Sequence, residues 1–450
     1  METLPPKLKL KELYQALREK PLDPADPVDA RWYVPYVQQL PYDPIAEICN
    51  EIGFNDTESL YYVTGQRGTG KSTELLRLRR LLKDSGVVVF YIDMLDYLHM
   101  SEPVEISDFL IAVASGMAAQ AKNEHDLDVL EQNLWEKLKW FLGRVEINVS
   151  HVNAEVELPA VKFGADITAR LKADDSFKQR LQKAVRGHIT ELVQQVQDFV
   201  IALVGGLRQK YQHPGLQVAV IIDSFEQIRG YYGNVRQVYE SVVRLFGADG
   251  KHLRLPMMHT VITIPPYLNS IAIGAGEIPV SLSSVHVRQR QSGDPDPQGV
   301  AILCDMVYRR SASAREIFTP AVLQELAMAS GGDIRDFFFL VSQMLIKGGS
   351  QQILQLPLDS ELARLAKEKL ARSLQPIDDV ATRWLFRVNQ TQQAELDERD
   401  RLPELALLFD RNLVIHYQNG ESWYGIHPLI TAYVLERMKV LDERETQQQG

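Results

Sequence analysis

The sequence predicts an α/β fold with a parallel five-stranded sheet, and three features predict it. Runs such as "VVVFYIDM" and "VAVIID" are unbroken stretches of β-branched and aromatic residues, the pattern of strands covered on both faces. Segments with leucine at helical spacing, "STELLRLRRLLKDSG" first among them, stand between those runs. A glycine-rich stretch, "TGQRGTGKST", joins the first strand to the first of these helices. Strand, loop, helix and strand in that order open an α/β domain.

Taken in order, residues 1–39 read as a lead-in. The first twenty have basic and apolar positions at helical spacing, and "PLDPADPVDARWYVPY", rich in proline and aspartate, reads as irregular. The core occupies 40–103 and 213–295. "DPIAEICNEIGF" is a short amphipathic helix and "SLYYVTG" the strand that enters the glycine loop. "VVVFYIDM", "LQVAVIID", "MMHTVITIPP" and "SSVHVRQR" complete the five strands. Residues 104–212 form a mainly helical insertion, bounded by "ISDFLIAVASGMAAQA" and one long helix from "SFKQRLQKAV" to "GGLRQKY". Between these ends "VEINVSHVNAEVELPAVKFGADITARL" alternates like a β-hairpin. A helical stretch over 296–372, a mixed segment over 373–440 and a polar tail over 441–450 follow.

A chain of 450 residues suggests two or three domains. No apolar run approaches the roughly 20 residues that span a bilayer. The basic start lacks the apolar core of a secretory signal, so a cytoplasmic protein with no membrane partner is expected. Cys49 and Cys304 stand far apart without partner spacing, which supports neither a disulfide nor a zinc site and suits small buried hydrophobes. The net charge of −10 argues against a broad basic surface for nucleic acid and leaves room for a local patch.

Gly65, Gln66, Arg67, Gly68, Thr69, Gly70, Lys71 and Ser72 fit the pattern G-x-x-x-x-G-K-[ST], between a strand and a helix, which is the context of a phosphate-binding P-loop. Glycine lets the backbone turn its N–H groups toward phosphate oxygens, and the helix N-terminus adds partial positive charge. Lys71 would reach the β- and γ-phosphates and Ser72 would give its hydroxyl to Mg²⁺; Thr73 is a neighbouring hydroxyl of less defined role. Such a site needs a carboxylate at the end of a buried strand, and "VAVIIDSFEQI" places Asp223 there for the metal. Glu226, three residues on, would orient or deprotonate the attacking water; a solvated or helix-capping glutamate is the competing reading.

From about residue 40 to 435, apart from the insertion, the order of features resembles AAA+ ATPases and their signal-transducing STAND relatives, especially the origin-recognition-like branch. "VTGQRGTGKST" is similar to their Walker A loop and "VAVIIDSFEQI" to their Walker B strand. "HTVITIPP" looks like the sensor 1 strand, which would put Thr263 near the γ-phosphate; Thr263 also reads simply as a strand threonine. "SGGDIRDFFFLV" is similar to the lid motif of sensor 2, which would put Arg335 over the nucleotide; a surface salt-bridge arginine is the alternative. "LPELALLFDRNLVIHYQNGESWYGIHPLI" looks like a winged helix, with "NGES" as its hairpin turn and Trp423 and Tyr424 as wing core. Trp32, Tyr33 and Tyr36 lie where this superfamily often contacts adenine, although packing accounts for each.

Two departures shape what the resemblance implies. Ser224 stands where motor-like relatives carry glutamate directly after the Walker B aspartate, so binding is better supported than turnover. "PPYLNSIAIGAGEIPVSLSSVHV", the usual place of an arginine finger, contains no arginine or lysine; Arg244, Arg254, Arg288 and Arg290 are the substitutes, each also readable as a surface arginine. The expectation is a slow or regulated ATPase using ATP and Mg²⁺, a switch that controls a partner protein, with possible nucleotide-dependent self-association, in bacterial signalling or anti-phage defence. The alternative is a DNA-binding initiator or loader. Against it, residues 361–450 hold 12 Lys plus Arg and 15 Asp plus Glu, the wrong sign for a phosphate-binding module. A small-molecule kinase gives no reason for a lid and winged helix.

Overall fold

The structure, a computed structural model, describes residues 5–17, 20–40, 43–127, 169–270, 278–394 and 401–449. The chain forms two compact units. One comprises Ile45–Thr64 and Leu78–Val280, the other Met1–Pro44, Gly65–Arg77 and Ser281–Gly450.

The first unit is built on the sheet. Helix α3 (Pro44–Phe54) leads to β1 (Ser59–Thr64); β2 is Val88–Asp93, β3 Val218–Asp223, β4 His259–Ile264 and β5 Val280–Ser281. The order is β2-β3-β4-β1-β5, and β1–β4, β3–β4 and β2–β3 all pair in parallel. All six residues of β3 and of β4 are buried, which explains why their sequences show no alternation. Helix α4 (Lys71–Asp84) follows the glycine loop, and α5 (Ile106–His125) packs on β2 and against α7 (Ile189–Lys210), with α6 (Asp175–Val185) before it. Helix α8 (Val235–Phe246) buries Val238, Tyr239, Val242, Leu245 and Phe246 along one face. Phe246 meets Tyr62 and Phe225 edge-on, with ring centroids 5.7 and 5.4 Å apart. Full burial of each such side chain stabilises the unit by about 1.5–3 kcal/mol.

The second unit holds α1 (Pro6–Ala16), α2 (Pro27–Trp32), the glycine loop, and the helices α9 (Pro297–Tyr308), α10 (Ala314–Ile317), α11 (Pro320–Ala329), α12 (Ile334–Gly349) and α13 (Ser360–Ser373). Helices α14 (Asp379–Thr391) and α15 (Leu402–Asp410) precede a hairpin of β6 (Val414–Asn419) and β7 (Glu421–Ile426), and α16 (Thr431–Gln449) closes the chain. Side chains of Asp296, Thr319, Asp333, Asp359 and Asp378 cap five of these helices, each worth about 1 kcal/mol. Tyr417 and Trp423 stack across the hairpin at 4.3 Å, and the Tyr417 hydroxyl donates to the Gly331 carbonyl at 2.6 Å. Gly332 has φ +87°, and a Cβ there would lie 1.8 Å from the Val285 carbonyl oxygen, so only glycine fits.

Three local expectations are corrected. The lead-in over 21–36 is not irregular throughout: Asp26 accepts hydrogen bonds from the N–H groups of Val28 and Asp29 and so starts α2. The long helix after residue 175 is two, α6 and α7, joined by a 3₁₀ turn over Arg186–His188. The fifth strand lies at Val280–Ser281, before "SSVHVRQR", because the Ser284 and Val285 N–H groups donate instead to the His416 and Gly332 carbonyls, both at 3.1 Å. Helix α16 also carries the polar tail, through Gln449. The hairpin read within 145–171 falls almost wholly outside the described residues.

Candidate nucleotide-binding site

In the second unit the glycine loop runs from the end of β1 into Lys71, the first residue of α4. Gly68 and Gly70 have φ of +97° and +86°, and a Cβ on Gly65 would meet the Leu282 carbonyl at 2.3 Å, so three of the motif glycines are required by conformation or space. Lys71 is buried, its Nζ donating to the Gly65 carbonyl at 2.8 Å and the Gln66 carbonyl at 2.7 Å. The ammonium therefore lies under its own loop, at the N-terminus of α4, where N–H groups and cation together attract an anion. Thr69 Oγ1 donates to the Gln66 carbonyl at 3.0 Å. Ser72 and Thr73, both half-buried, occupy the first turn, and Thr73 Oγ1 accepts the Leu22 N–H at 3.1 Å. Arg67 is exposed.

Gln66 does something its motif position does not announce. Its Nε2 donates to the Val414 carbonyl and its Oε1 accepts the His416 N–H at 2.8 Å, so one buried amide pairs with β6 as a neighbouring strand would. Asn412, just before β6, donates from Nδ2 to the Arg67 carbonyl at 3.4 Å and to Asp333 Oδ2 at 3.1 Å. Asp333 caps α12 through the Asp336 N–H at 2.9 Å and sits so close to Gly68 that a Cβ there would lie 2.5 Å from its carboxylate oxygens. Burial, then the charge of Asp336, pushes the Asp333 carboxyl well above the usual range. His427, fully buried, places Nε2 3.3 Å from Asp336 Oδ2. Arg335 is in the first turn of α12, two residues beyond Asp333. Loop, α12 and β6 thus form one polar cluster.

Around α4, the Tyr33 hydroxyl donates to Glu74 Oε1 at 2.8 Å, Arg77 Nε to Glu74 Oε2 at 2.8 Å and Arg77 Nη2 to Asp43 at 2.5 Å. Burial raises the Glu74 carboxyl. Tyr36 is buried with its ring 3.4 Å from where a Gly70 Cβ would stand, and its hydroxyl has no hydrogen-bond partner among the described residues. Trp32 lies 5.9 Å from the Arg310 guanidinium. Among the substitute arginines, Arg244 faces Asp249, Arg254 the Glu58 carbonyl and Arg290 both Glu421 and Gln392, while the Arg288 backbone bridges to Pro295.

The sheet unit carries the other predicted residues at its carboxyl edge. Asp223 ends β3, with Oδ1 accepting the Ser224 N–H at 2.6 Å and Oδ2 the Tyr91 hydroxyl at 2.5 Å. Ser224 has φ +65°, which turns the chain sharply into a 3₁₀ turn over Phe225–Gln227 where Glu226 is buried. Thr263 Oγ1 accepts the Phe225 N–H at 3.0 Å and donates to the Ile222 carbonyl at 3.4 Å, tying β4 to that turn. Asp93 is in register with Asp223, and burial raises its carboxyl. Each taken by itself, the Ser72 hydroxyl and the Asp223 carboxylate are hard oxygen donors of the kind Mg²⁺ takes. Among the described residues no three His, Cys, Asp or Glu side chains form a metal site of their own, and no helix is long and apolar enough to cross a membrane.

No protein-family model and no curated protein matches the chain. Among solved structures, it is similar to Cdc6p from Pyrobaculum aerophilum, at 14% identity and a TM-score of 0.37, over 91% of this chain and 98% of that one. It is also similar to a Walker-type ATPase of Pyrococcus abyssi, at 12% identity and a TM-score of 0.40, over 94% and 99%. The ORC2 protein of Aeropyrum pernix matches at 10% identity and a TM-score of 0.40, over 94% and 98%.

Proposed function

We propose that the chain is an ATP-binding and ATP-hydrolysing switch of the AAA+/STAND kind, working in the cytoplasm, which uses nucleotide to control a partner protein. In this reading loop 65–70 and the first turn of α4 take the phosphates, with Lys71 at the β- and γ-phosphates and Thr73 alongside. Ser72 and Asp223 serve Mg²⁺, which supplies charge neutralisation on the phosphates. Glu226 orients or deprotonates water, Thr263 holds its turn, and Arg335 answers to the γ-phosphate from the lid helix α12. The segment over 373–440 is a winged-helix-like module.

The observation that carries the switch is the two-point bond from Gln66 to β6. A phosphate-binding loop whose second residue is hydrogen-bonded to the C-terminal hairpin cannot reshape around a ligand without disturbing that hairpin. Ligand can shift such an equilibrium only by its differential affinity for the two arrangements, and the shared loop supplies a reason for a difference. An acidic C-terminal segment favours a protein partner over duplex DNA. The test is size-exclusion with small-angle scattering in ADP, in ATP, and for Glu226→Gln in ATP. Mass or shape should change with nucleotide; three identical profiles overturn the switch. A salt-sensitive, ATP-dependent shift of duplex DNA would favour the initiator reading instead.

A further inference from the structure

Tyr91 belongs to no motif, yet it is held on three sides. It is the fourth residue of β2, an edge strand, in register with Ile221 and so on the same face as Asp223 two residues further along β3. On the open edge of β2, Gln120 of α5 accepts the Tyr91 N–H at 2.9 Å and donates to the Tyr91 carbonyl. One amide side chain thereby supplies both backbone partners that another strand would have given. The Arg79 guanidinium lies 5.9 Å from the ring centroid. What these contacts hold in place is the hydroxyl that donates to Asp223 Oδ2 at 2.5 Å, opposite the Ser224 N–H on Oδ1.

A carboxylate hydrogen-bonded through both oxygens is held against rotation. Each oxygen can accept more than one hydrogen bond, so this anchoring does not exhaust it. We propose that Tyr91 is a positioning residue for the metal carboxylate: it fixes the orientation of Asp223 for the Mg²⁺ of a bound nucleoside triphosphate. This rests on the reading of Asp223 given above.

The test uses the full chain and a fluorescent ATP analogue, titrated with Mg²⁺ at fixed nucleotide. For Tyr91→Phe, which keeps the ring, the Mg²⁺ concentration for half-maximal effect should rise about tenfold or more, with metal-free binding of the analogue unchanged. Gln120→Leu should move it less, in the same direction, and decides the matter if Tyr91→Phe does not fold. Asp223→Asn is the reference. If Asp223→Asn leaves the Mg²⁺ response as in the wild type, the assignment of Asp223 fails and the proposal with it. If Asp223→Asn shifts the response while Tyr91→Phe leaves it unmoved or tightens it, the role of Tyr91 alone is overturned.

Discussion

Lys71, buried with its Nζ donating to two carbonyls of its own loop, is a cation placed where a phosphate would be its natural counterion. A charge-assisted bond of this kind is worth about 1.5–3 kcal/mol, so Lys71→Ala should weaken ATP binding by roughly ten- to a hundredfold, read by equilibrium titration. Glu226→Gln keeps size and burial but removes the carboxylate proposed as the base. It should bind ATP as the wild type does and release phosphate about 10²- to 10⁴-fold more slowly. Tyr36 offers a different kind of check. Its hydroxyl is buried without a hydrogen-bond partner among the described residues, so Tyr36→Phe should raise stability by up to about 1 kcal/mol in denaturant titrations without nucleotide. A loss of stability would mean that the hydroxyl is bonded in solution.

At the scale of elements, the β6–β7 hairpin is sensitive to acid. Burial, and then the neighbouring His286, pull His416 down to about 4, while its Nε2 lies 2.5 Å from Ser422 Oγ. His286 is also lowered by burial and accepts the Gln418 N–H at 3.0 Å. A histidine depressed in the folded state takes up its proton first in the unfolded chain, so its effect is absent above about pH 6.5 and destabilising below it. As pH falls from about 6.5 to 4 the loss from His416 grows to about 3 kcal/mol. The raised carboxyl of Asp333 acts in the opposite direction, binding its proton first in the folded state. Melting temperatures at pH 7 and pH 5, compared between wild type and His416→Asn, isolate the histidine: the acid-induced drop should be smaller in the variant. The turn before α12 is equally demanding, and Gly332→Ala should cost more than about 2 kcal/mol, since it adds positive-φ strain to a collision with the Val285 carbonyl.

For the molecule as a whole, Gln66 is the informative position. Gln66→Ala leaves the loop backbone and glycines in place and removes both bonds to β6. On the switch reading it should blunt any nucleotide-dependent change in scattering while leaving ATP affinity within about threefold of wild type, because the phosphate-facing groups are backbone N–H and Lys71. An undiminished change would show that the loop signals by another route.

How much of this was legible beforehand depends on how far each feature reaches along the chain. The four long strands, the loop and the position of Asp223 follow from local patterns: continuous apolar runs, glycines ahead of a lysine, a carboxylate closing a buried strand. Arg335 at the start of α12 and the hairpin turn at Gly420 could be read for the same reason. "SSVHV" misled because β propensity describes a segment's fitness for pairing and not its partner, and its N–H groups pair with Gly332 and His416 instead of the sheet. Neither the tie from Gln66 to β6 nor the bond from Tyr91 to Asp223 showed in any local pattern. A glutamine at a variable loop position and a tyrosine in a strand are unremarkable in sequence; their importance lies in bonds to residues 348 and 132 positions away. The sequence alone determined which groups are candidates to hold phosphate and metal, since the residue types suited to that chemistry are read from local patterns in the chain. Only the tertiary structure decided which neighbours hold those groups still, because hydrogen-bond partners that distant are brought together by packing.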